Sequence, residues 1–142
     1  MRSGPGTKTV NEAFFDTNVV AYFTSDDPVK AEISARLLRA GGVVSVQVLN
    51  EFAALAVRKR RWPIVQVRQV VEAVRETCQV VPLTPEAHDL GLDLAERYGL
   101  NIYDALIVAA ASLAGCATLY SEDMHDGLTI DGLTIRNPFV AR

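Results

Sequence analysis

Four acidic residues stand where a predicted strand or loop gives way to a helix or a turn: Asp16, Glu51, Asp104 and Asp123. Asp16 is the most informative, because it lies inside the largely apolar run 13–23, where an unpaired carboxylate is costly to bury. Two carboxylates about 4 Å apart repel by roughly 4 kcal/mol at an effective dielectric near 20, so four ionised carboxylates cannot cluster without a cation or bound protons. Brought together by the fold, these residues would form a divalent-cation site.

The types of side chain favour one class of metal ion. Carboxylate oxygens suit hard cations such as Mg²⁺ or Mn²⁺, which keep several waters, whereas zinc prefers histidine and cysteine. His88 falls in a predicted helix apart from the acids and His125 is solitary, which disfavours a zinc site. Carboxylate-held Mg²⁺ with open coordination positions typically acts on phosphate esters, so the four acids indicate a nuclease or a phosphatase.

Each acid also has a simpler structural explanation. Asp104 precedes an apolar helix and could be its N-cap. Glu51 could have Arg58 as a structural partner, and Asp123 lies in the polar segment 121–127, which is typical of a turn. Asp16 is the exception, because a carboxylate among aromatic and β-branched residues does not fit a solvated surface.

Alternating strand-like and helix-like segments position these residues. Strands are predicted at 12–15, at Val43, Val44 and Val46, at 78–83 as a central strand, at 118–120 and at 133–136. Helices are predicted at 17–23, 28–40, 47–61, 64–76, 85–98 and 105–114, the last of them apolar almost all round and therefore buried. This alternation predicts a mainly parallel sheet with right-handed crossovers and helices on both faces, which binds ligands at the carboxyl ends of its strands.

Composition indicates one ordinary globular domain. The chain has 142 residues, of which 49% are hydrophobic and 22% charged, and residues 1–10 are expected to form a flexible tail ahead of a domain at 11–142. The net charge of -3 gives no overall attraction for nucleic acid. Such binding would therefore need a local basic patch and acids neutralised by metal.

Cysteine usage and hydropathy bear on the compartment. Cys78 and Cys116 lie in apolar surroundings and are expected to be two buried free thiols in a reducing compartment, with a single disulfide as the alternative. The first residues lack the apolar stretch of a signal peptide, and no window approaches a membrane span. A cytoplasmic location without membrane contact is expected.

Four motifs in order resemble the PIN domains, and especially the VapC-type ribonuclease toxins of bacterial toxin-antitoxin pairs. They are Phe-Asp-Thr-Asn-Val at 15–19, Val-Leu-Asn-Glu-Phe at 48–52, Tyr-Asp-Ala-Leu-Ile-Val-Ala-Ala-Ala at 103–111 and Leu-Tyr-Ser-Glu-Asp-Met at 119–124. The resemblance covers nearly the whole chain after the tail. It implies a three-layer α/β/α sandwich with a mainly parallel sheet, a homodimer, and an antitoxin protein that blocks the site.

The resemblance also implies a role for the site residues. The positions that match the family pattern, Asp16, Glu51, Asp104 and Asp123, would bind one or two Mg²⁺ or Mn²⁺ ions. Water would attack phosphorus in line and leave a 5′-phosphate and a 3′-hydroxyl on a cleaved RNA. Secondary residues are expected to orient waters or ligands: Thr17, Asn18 and Ser121. The cations at 58–61 could track an RNA backbone, but a solvated helix end is the favoured explanation.

Two other functions fit less well. A phosphoaspartyl receiver or phosphatase would also place an aspartate at a strand end, but Asp16-Thr17-Asn18 lacks the second aspartate of the phosphatase motif and no lysine follows the later strands as a receiver needs. A non-catalytic nucleic-acid-binding or partner-binding module would keep the acids for structure. Phosphodonor labelling would support the first, and binding without metal-dependent turnover the second.

Overall fold

The computed structural model describes residues 13–140, so the predicted tail at 1–10 lies outside the described residues. The strands are β1 (Ala13–Phe15), β2 (Gly42–Ser45), β3 (Cys78–Val81), β4 (Thr118–Tyr120), β5 (Thr129–Ile130) and β6 (Leu133–Arg136). The helices are α1 (Thr17–Phe23), α2 (Pro28–Ala40), α3 (Val46–Arg58), α4 (Ile64–Thr77), α5 (Pro85–Tyr98) and α6 (Ile102–Leu113).

The strands form one mainly parallel sheet, as predicted. Its order is β3-β2-β1-β4-β6-β5, and only β5 runs antiparallel to its neighbour within the described part of the chain. The chain moves outward from β1 to β2 and β3, then returns through α5 and α6 to place β4 on the other side of β1. The direction of winding therefore reverses between β1 and β4, and such a switch point opens a crevice at the carboxyl ends of the two strands.

Helices cover both faces of this sheet. Adjacent strand residues point to opposite faces, and both Phe14 and Phe15 on β1 are fully buried. With right-handed crossovers, α1 to α4 lie on one face and α5 with α6 on the other. The contacts agree, because α1 packs on α2 and α3 while α5 packs on α6. This is the predicted three-layer α/β/α sandwich.

Local signals set several helix ends as expected. Asp27 caps α2 ahead of Pro28, and its side chain accepts hydrogen bonds from the Val29 and Lys30 amides. Thr84 caps α5 ahead of Pro85, and Gly99 ends it with φ 69°, a left-handed conformation that glycine adopts without steric cost. Helix α6, which is apolar almost all round after Asp104, is buried over 107–111. These ends depend on contacts between near neighbours, which is why the sequence predicts them.

Two predicted strand assignments were wrong in detail, and one short strand was not predicted. The segment predicted as a central strand forms β3, which is an edge strand and ends at Val81. Val46 begins α3 rather than continuing β2, because the Ser45 hydroxyl accepts from the Val48 amide and caps the helix there. The two-residue strand β5 was not predicted, since two residues are too short to show a period.

The two cysteines lie in the hydrophobic core, as the apolar sequence around them predicts. Cys78 and Cys116 are both buried and form no disulfide with each other. Burial raises the pKa of the Cys78 thiol. Within residues 13–140, every helix is too short or too polar to cross a membrane.

Candidate functional site

The four predicted acids come together at the switch point between β1 and β4. Asp16 follows β1 directly, and its amide donates to the Tyr120 carbonyl at the end of β4, 3.0 Å away. Asp123 lies three residues beyond β4, while Glu51 and Asp104 come from α3 and α6. The charges of Asp104 and Glu51 act on Asp16, and those of Asp123 and Glu51 act on Asp104. The structure therefore places all four carboxylates in one electrostatic group.

Asp16 is the buried member of the group, with only 4% of its surface exposed. Its Oδ1 accepts from the Thr17 amide at 2.7 Å and its Oδ2 from the Ser121 hydroxyl at 2.6 Å. Burial raises the pKa of Asp16 from 3.8 to about 6, although these two hydrogen bonds lower it, and the charges of Asp104 and Glu51 raise it further. Asp16 is thus held in place, and its buried negative charge at neutral pH is costly unless a cation offsets it.

Glu51 is oriented by side chains from two helices. Its Oε1 accepts from the Thr17 hydroxyl at 2.7 Å, and its Oε2 accepts from the Gln47 amide at 2.9 Å. Gln47 is buried and also donates to the Tyr103 carbonyl on α6 at 3.2 Å. Arg58, the predicted structural partner of Glu51, forms no ion pair in the described part of the chain. Two neutral donors therefore orient Glu51, which leaves its negative charge unpaired.

Asp104 is not the N-cap of α6, which corrects the sequence interpretation. Asn101 is the cap. Its side-chain oxygen accepts from the backbone amide of Asp104 at 2.9 Å, and its side-chain nitrogen donates to the Asp104 carboxylate at 3.0 Å. Asp104 is the third residue of the helix. The Asn-x-x-Asp spacing resembles a capping box and could have identified this arrangement, although the donor to Asp104 is the Asn101 side chain and not its backbone N–H. Burial raises the pKa of Asp104, and the charges of Asp123 and Glu51 add to the effect.

Asn18 links Asp123 to Asp16. Its side-chain nitrogen lies 3.3 Å from Oδ2 of Asp16 and 3.3 Å from Oδ2 of Asp123. The Ser121 hydroxyl accepts from the Asp123 amide at 3.2 Å while it donates to Asp16. Asp123 itself is exposed, so it forms the solvent side of the group. The expected secondary residues Thr17, Asn18 and Ser121 all contact the acids.

Sequence reasoning missed a second set of residues that fixes the loop carrying Asp123. Glu122 accepts from the Tyr22 hydroxyl at 2.6 Å and pairs with the Lys30 ammonium at 2.6 Å. The Glu122 amide donates to the Asn18 side-chain oxygen at 3.2 Å. Burial tends to raise the pKa of Glu122, but the bonds from Lys30 and Tyr22 outweigh it and lower the pKa. No local signal could have revealed these contacts, because the partners lie 92 and 100 residues apart in sequence.

Comparisons with known proteins identify the family. A family model described as PIN domain matches residues 13–125. The chain belongs to the PIN-domain family. No curated protein matches the sequence of this PIN domain.

Several solved structures share its fold at low sequence identity. A toxin-antitoxin complex from Klebsiella pneumoniae is 20% identical, with a TM-score of 0.68 over 89% of this chain and 98% of that chain. Mycobacterium tuberculosis VapC20, described as a sarcin-ricin loop cleaving toxin, is 20% identical, with a TM-score of 0.64 over 79% and 90%. VapBC2 from Rickettsia felis, bound to a promoter DNA fragment, is 19% identical, with a TM-score of 0.63 over 88% and 97%.

The donor set of the PIN domain fits a hard divalent cation. All four acids offer carboxylate oxygen. Burial is the main cause of the raised pKa values of Asp16 and Asp104, with neighbouring negative charge second, and a bound cation would favour the ionised form of both groups. Among residues 13–140, no three His, Cys, Asp or Glu side chains already converge as a formed metal cluster. Instead the carboxylates accept hydrogen bonds from neutral side chains beside an open cavity of about 450 Å³, which Glu51 and Asp123 line. The four acids therefore supply oxygen donors beside a cavity that is open to solvent.

Proposed function

We propose that this PIN domain is an endoribonuclease that requires Mg²⁺ or Mn²⁺, and that it is the toxin of a toxin-antitoxin pair in the cytoplasm. The observation that carries the proposal is the grouping of Asp16, Glu51, Asp104 and Asp123 at the switch point of a parallel sheet. Burial first, and neighbouring acids second, raise the pKa of Asp16 and of Asp104, while Glu51 and Asp123 line an open cavity beside them. This arrangement supports binding of a cation and, through it, of a phosphate ester.

The four acids would hold the metal ion. When bound, Mg²⁺ or Mn²⁺ supplies positive charge that lowers the pKa of water and offsets charge at the reacting phosphate. Asp16 is held by Thr17 and Ser121, so it would set the position of the site relative to the sheet. Exposed Asp123 would face the incoming RNA strand, and hydrolysis by water would leave a 5′-phosphate and a 3′-hydroxyl.

The chain's own nucleophiles are poorly placed for covalent catalysis. Ser121 is fully buried, and its hydroxyl donates to Asp16 and accepts from the Asp123 and Met124 amides. Asp16 is almost fully buried with both oxygens hydrogen-bonded, which disfavours in-line transfer of a phosphoryl group to it. Attack by water therefore fits the site better than a serine nucleophile or a phosphoaspartyl intermediate.

The structural neighbours support the choice of substrate and partner. One is described as a toxin that cleaves the sarcin-ricin loop, which favours a structured RNA as substrate. Two others are a toxin-antitoxin complex and a VapBC2 assembly bound to promoter DNA. We extend these properties to this chain as part of the proposal, together with a homodimer as its assembly state.

Cleavage of end-labelled structured RNAs tests the proposal. The protein, freed of any co-purified partner, is assayed with Mg²⁺, with Mn²⁺ and with EDTA. Asp104→Asn should abolish metal-dependent cleavage without loss of folding, and Asp93→Asn, on the exposed face of α5, provides a control with the same chemical change. Metal-dependent fragments with 5′-phosphate ends would support the proposal. RNA binding without turnover across varied RNAs would instead support a non-catalytic binding module.

A further inference from the structure

Arg60 is a fixed cation next to the carboxylate group. Its guanidinium donates to the Thr24 hydroxyl at 2.7 Å and to the Ala21 carbonyl at 2.9 Å, and its Cζ lies 5.5 Å from the centre of the Trp62 ring. The ion pairs of residues 13–140 do not include Arg60. Arg58, the last residue of α3, is exposed, whereas Arg60, two residues beyond the helix, is half-buried, so the two cations are not equivalent.

Arg60 also lines two cavities. The inner cavity, of about 450 Å³, includes Glu51 and Asp123 of the carboxylate group. The outer cavity, of about 670 Å³, is lined by Thr24, Ser25, Asp26, Arg60, Trp62 and Gln66. Because both cavities share Arg60, the surface continues from the carboxylates past the guanidinium to the indole ring. Both volumes fall in the range of about 300–1,000 Å³ that small-ligand sites occupy.

We propose that the two cavities form one groove for a single-stranded segment of the RNA substrate, such as a loop, with Arg60 on a backbone phosphate next to the scissile one and Trp62 against the adjoining base. This inference rests on the proposed ribonuclease function. A guanidinium has five N–H donors, of which the contacts to Thr24 and Ala21 use two, so donors are left for phosphate oxygens. An aromatic ring beside a cation is the usual combination in sites for single-stranded nucleic acid.

The rest of the outer cavity suits a nucleotide. Ser25 and Gln66 provide neutral hydrogen-bonding groups for ribose hydroxyls or base edges. Asp26 is exposed at this cavity and can accept a hydrogen bond from a base amino group, as acidic side chains do from cytosine. Arg60 is the cation among the described residues that line the two cavities, and it would face the RNA backbone, while Ser25, Asp26 and Gln66 would face the nucleoside.

Trp62 allows a direct test because it is the only tryptophan of the 142-residue chain. A short single-stranded RNA is titrated into the Asp104→Asn protein with Mg²⁺, while Trp62 fluorescence and the anisotropy of labelled RNA are recorded together. The fluorescence should change with the same midpoint as the anisotropy. RNA binding that leaves Trp62 fluorescence unchanged would overturn the proposal.

The same titration with Arg60→Gln measures the phosphate contact. Affinity should fall by about tenfold, as expected for the loss of a hydrogen bond to a charged group. The slope of log K against log salt concentration should become shallower by about 0.7, the value for one phosphate contact on a single strand. Arg58→Gln removes the same charge from an exposed position that lines neither cavity, and it should change both quantities much less.

A purely structural role predicts a different pattern. If Arg60 only caps the end of α1, Arg60→Gln lowers the melting temperature but gives the same salt slope as Arg58→Gln, which would refute the phosphate contact. If Arg60→Gln does not fold, the Trp62 signal in Arg60-containing protein still decides whether RNA occupies the groove. If the wild-type protein cleaves RNA but Trp62 fluorescence does not change in the titration, only the groove is overturned. If Trp62 fluorescence changes but the wild-type protein does not cleave, the groove is supported and the ribonuclease function is rejected.

Discussion

The charge of Asp16 should destabilise the metal-free protein at neutral pH. Its carboxyl group is 4% exposed, and burial raises its pKa from 3.8 to about 6 in the folded chain. A folded-state pKa above the unfolded value means that the native state binds the proton more tightly. The resulting stabilisation is present below about pH 3.8 and is lost as the pH rises through about 6.

The two pKa values set the magnitude. They differ by about 2.2, and each pKa unit corresponds to about 1.36 kcal/mol, so the titration of Asp16 removes about 3 kcal/mol of stability between acidic and neutral pH. Asp16→Asn eliminates this titration. It also weakens the hydrogen bond with Ser121, because an amide nitrogen replaces one acceptor oxygen, at a cost of about 1 kcal/mol. The variant should therefore be less stable than wild type at low pH and more stable by about 2 kcal/mol at neutral pH.

Urea denaturation in EDTA, followed by circular dichroism from pH 4 to pH 8, measures this difference. Asp93→Asn is the matched control and should follow the wild-type pH profile. Saturating Mg²⁺ should raise the free energy of unfolding of wild type by about 2.7 kcal/mol at a hundred times its Kd, and it should stabilise Asp16→Asn less. Parallel pH profiles for wild type and Asp16→Asn would refute the idea that Asp16 carries a costly buried charge.

Two further substitutions test packing and loop position. Gly91→Ala would place a Cβ 2.6 Å from Cδ2 and 3.3 Å from Cα of Leu106. The free energy of unfolding should therefore fall by about 1–3 kcal/mol, despite the better helix propensity of alanine. Adding Leu106→Ala should relieve part of the clash. An unchanged urea midpoint would show that α5 and α6 can move apart to accommodate the added Cβ without a measurable loss of stability. Glu122→Gln should weaken Mg²⁺ binding severalfold in calorimetric titrations, because the bond with Lys30 helps to hold the loop that carries Asp123; an unchanged Kd would rule out this positioning role.

Helix boundaries and the common edge of the acids could be predicted from the sequence. The pairs Asp27-Pro28 and Thr84-Pro85 start α2 and α5 through bonds to amides two or three residues away, which are local contacts. The acids could be expected at one edge because parallel strands present their carboxyl ends together. The wrong cap assignment at Asp104 had a local signal as well, since Asn101 stands at capping-box spacing from it.

Other features depended on the order of the strands. The apolar sequence of β3 is compatible with a central or an edge strand. The structure shows that β3 is an edge strand, because β2 is its single neighbour in the sheet formed by residues 13–140. The bond between Lys30 and Glu122 joins residues 92 positions apart, so it exists only because β4 lies next to β1. The cation run at 58–61 likewise gave no reason to single out Arg60, which the tertiary structure turns toward Trp62 and the end of α1.

The sequence by itself determined the α/β class, most helix boundaries and the four acids at the carboxyl edge of the sheet, because these follow from local hydrogen bonds and hydrophobic period. Only the tertiary structure decided how deeply Asp16 is buried, which donors hold each carboxylate and which cation borders the cavity. Burial and long-range pairing depend on how distant segments pack, and that information is not contained in the spacing of residues along the chain.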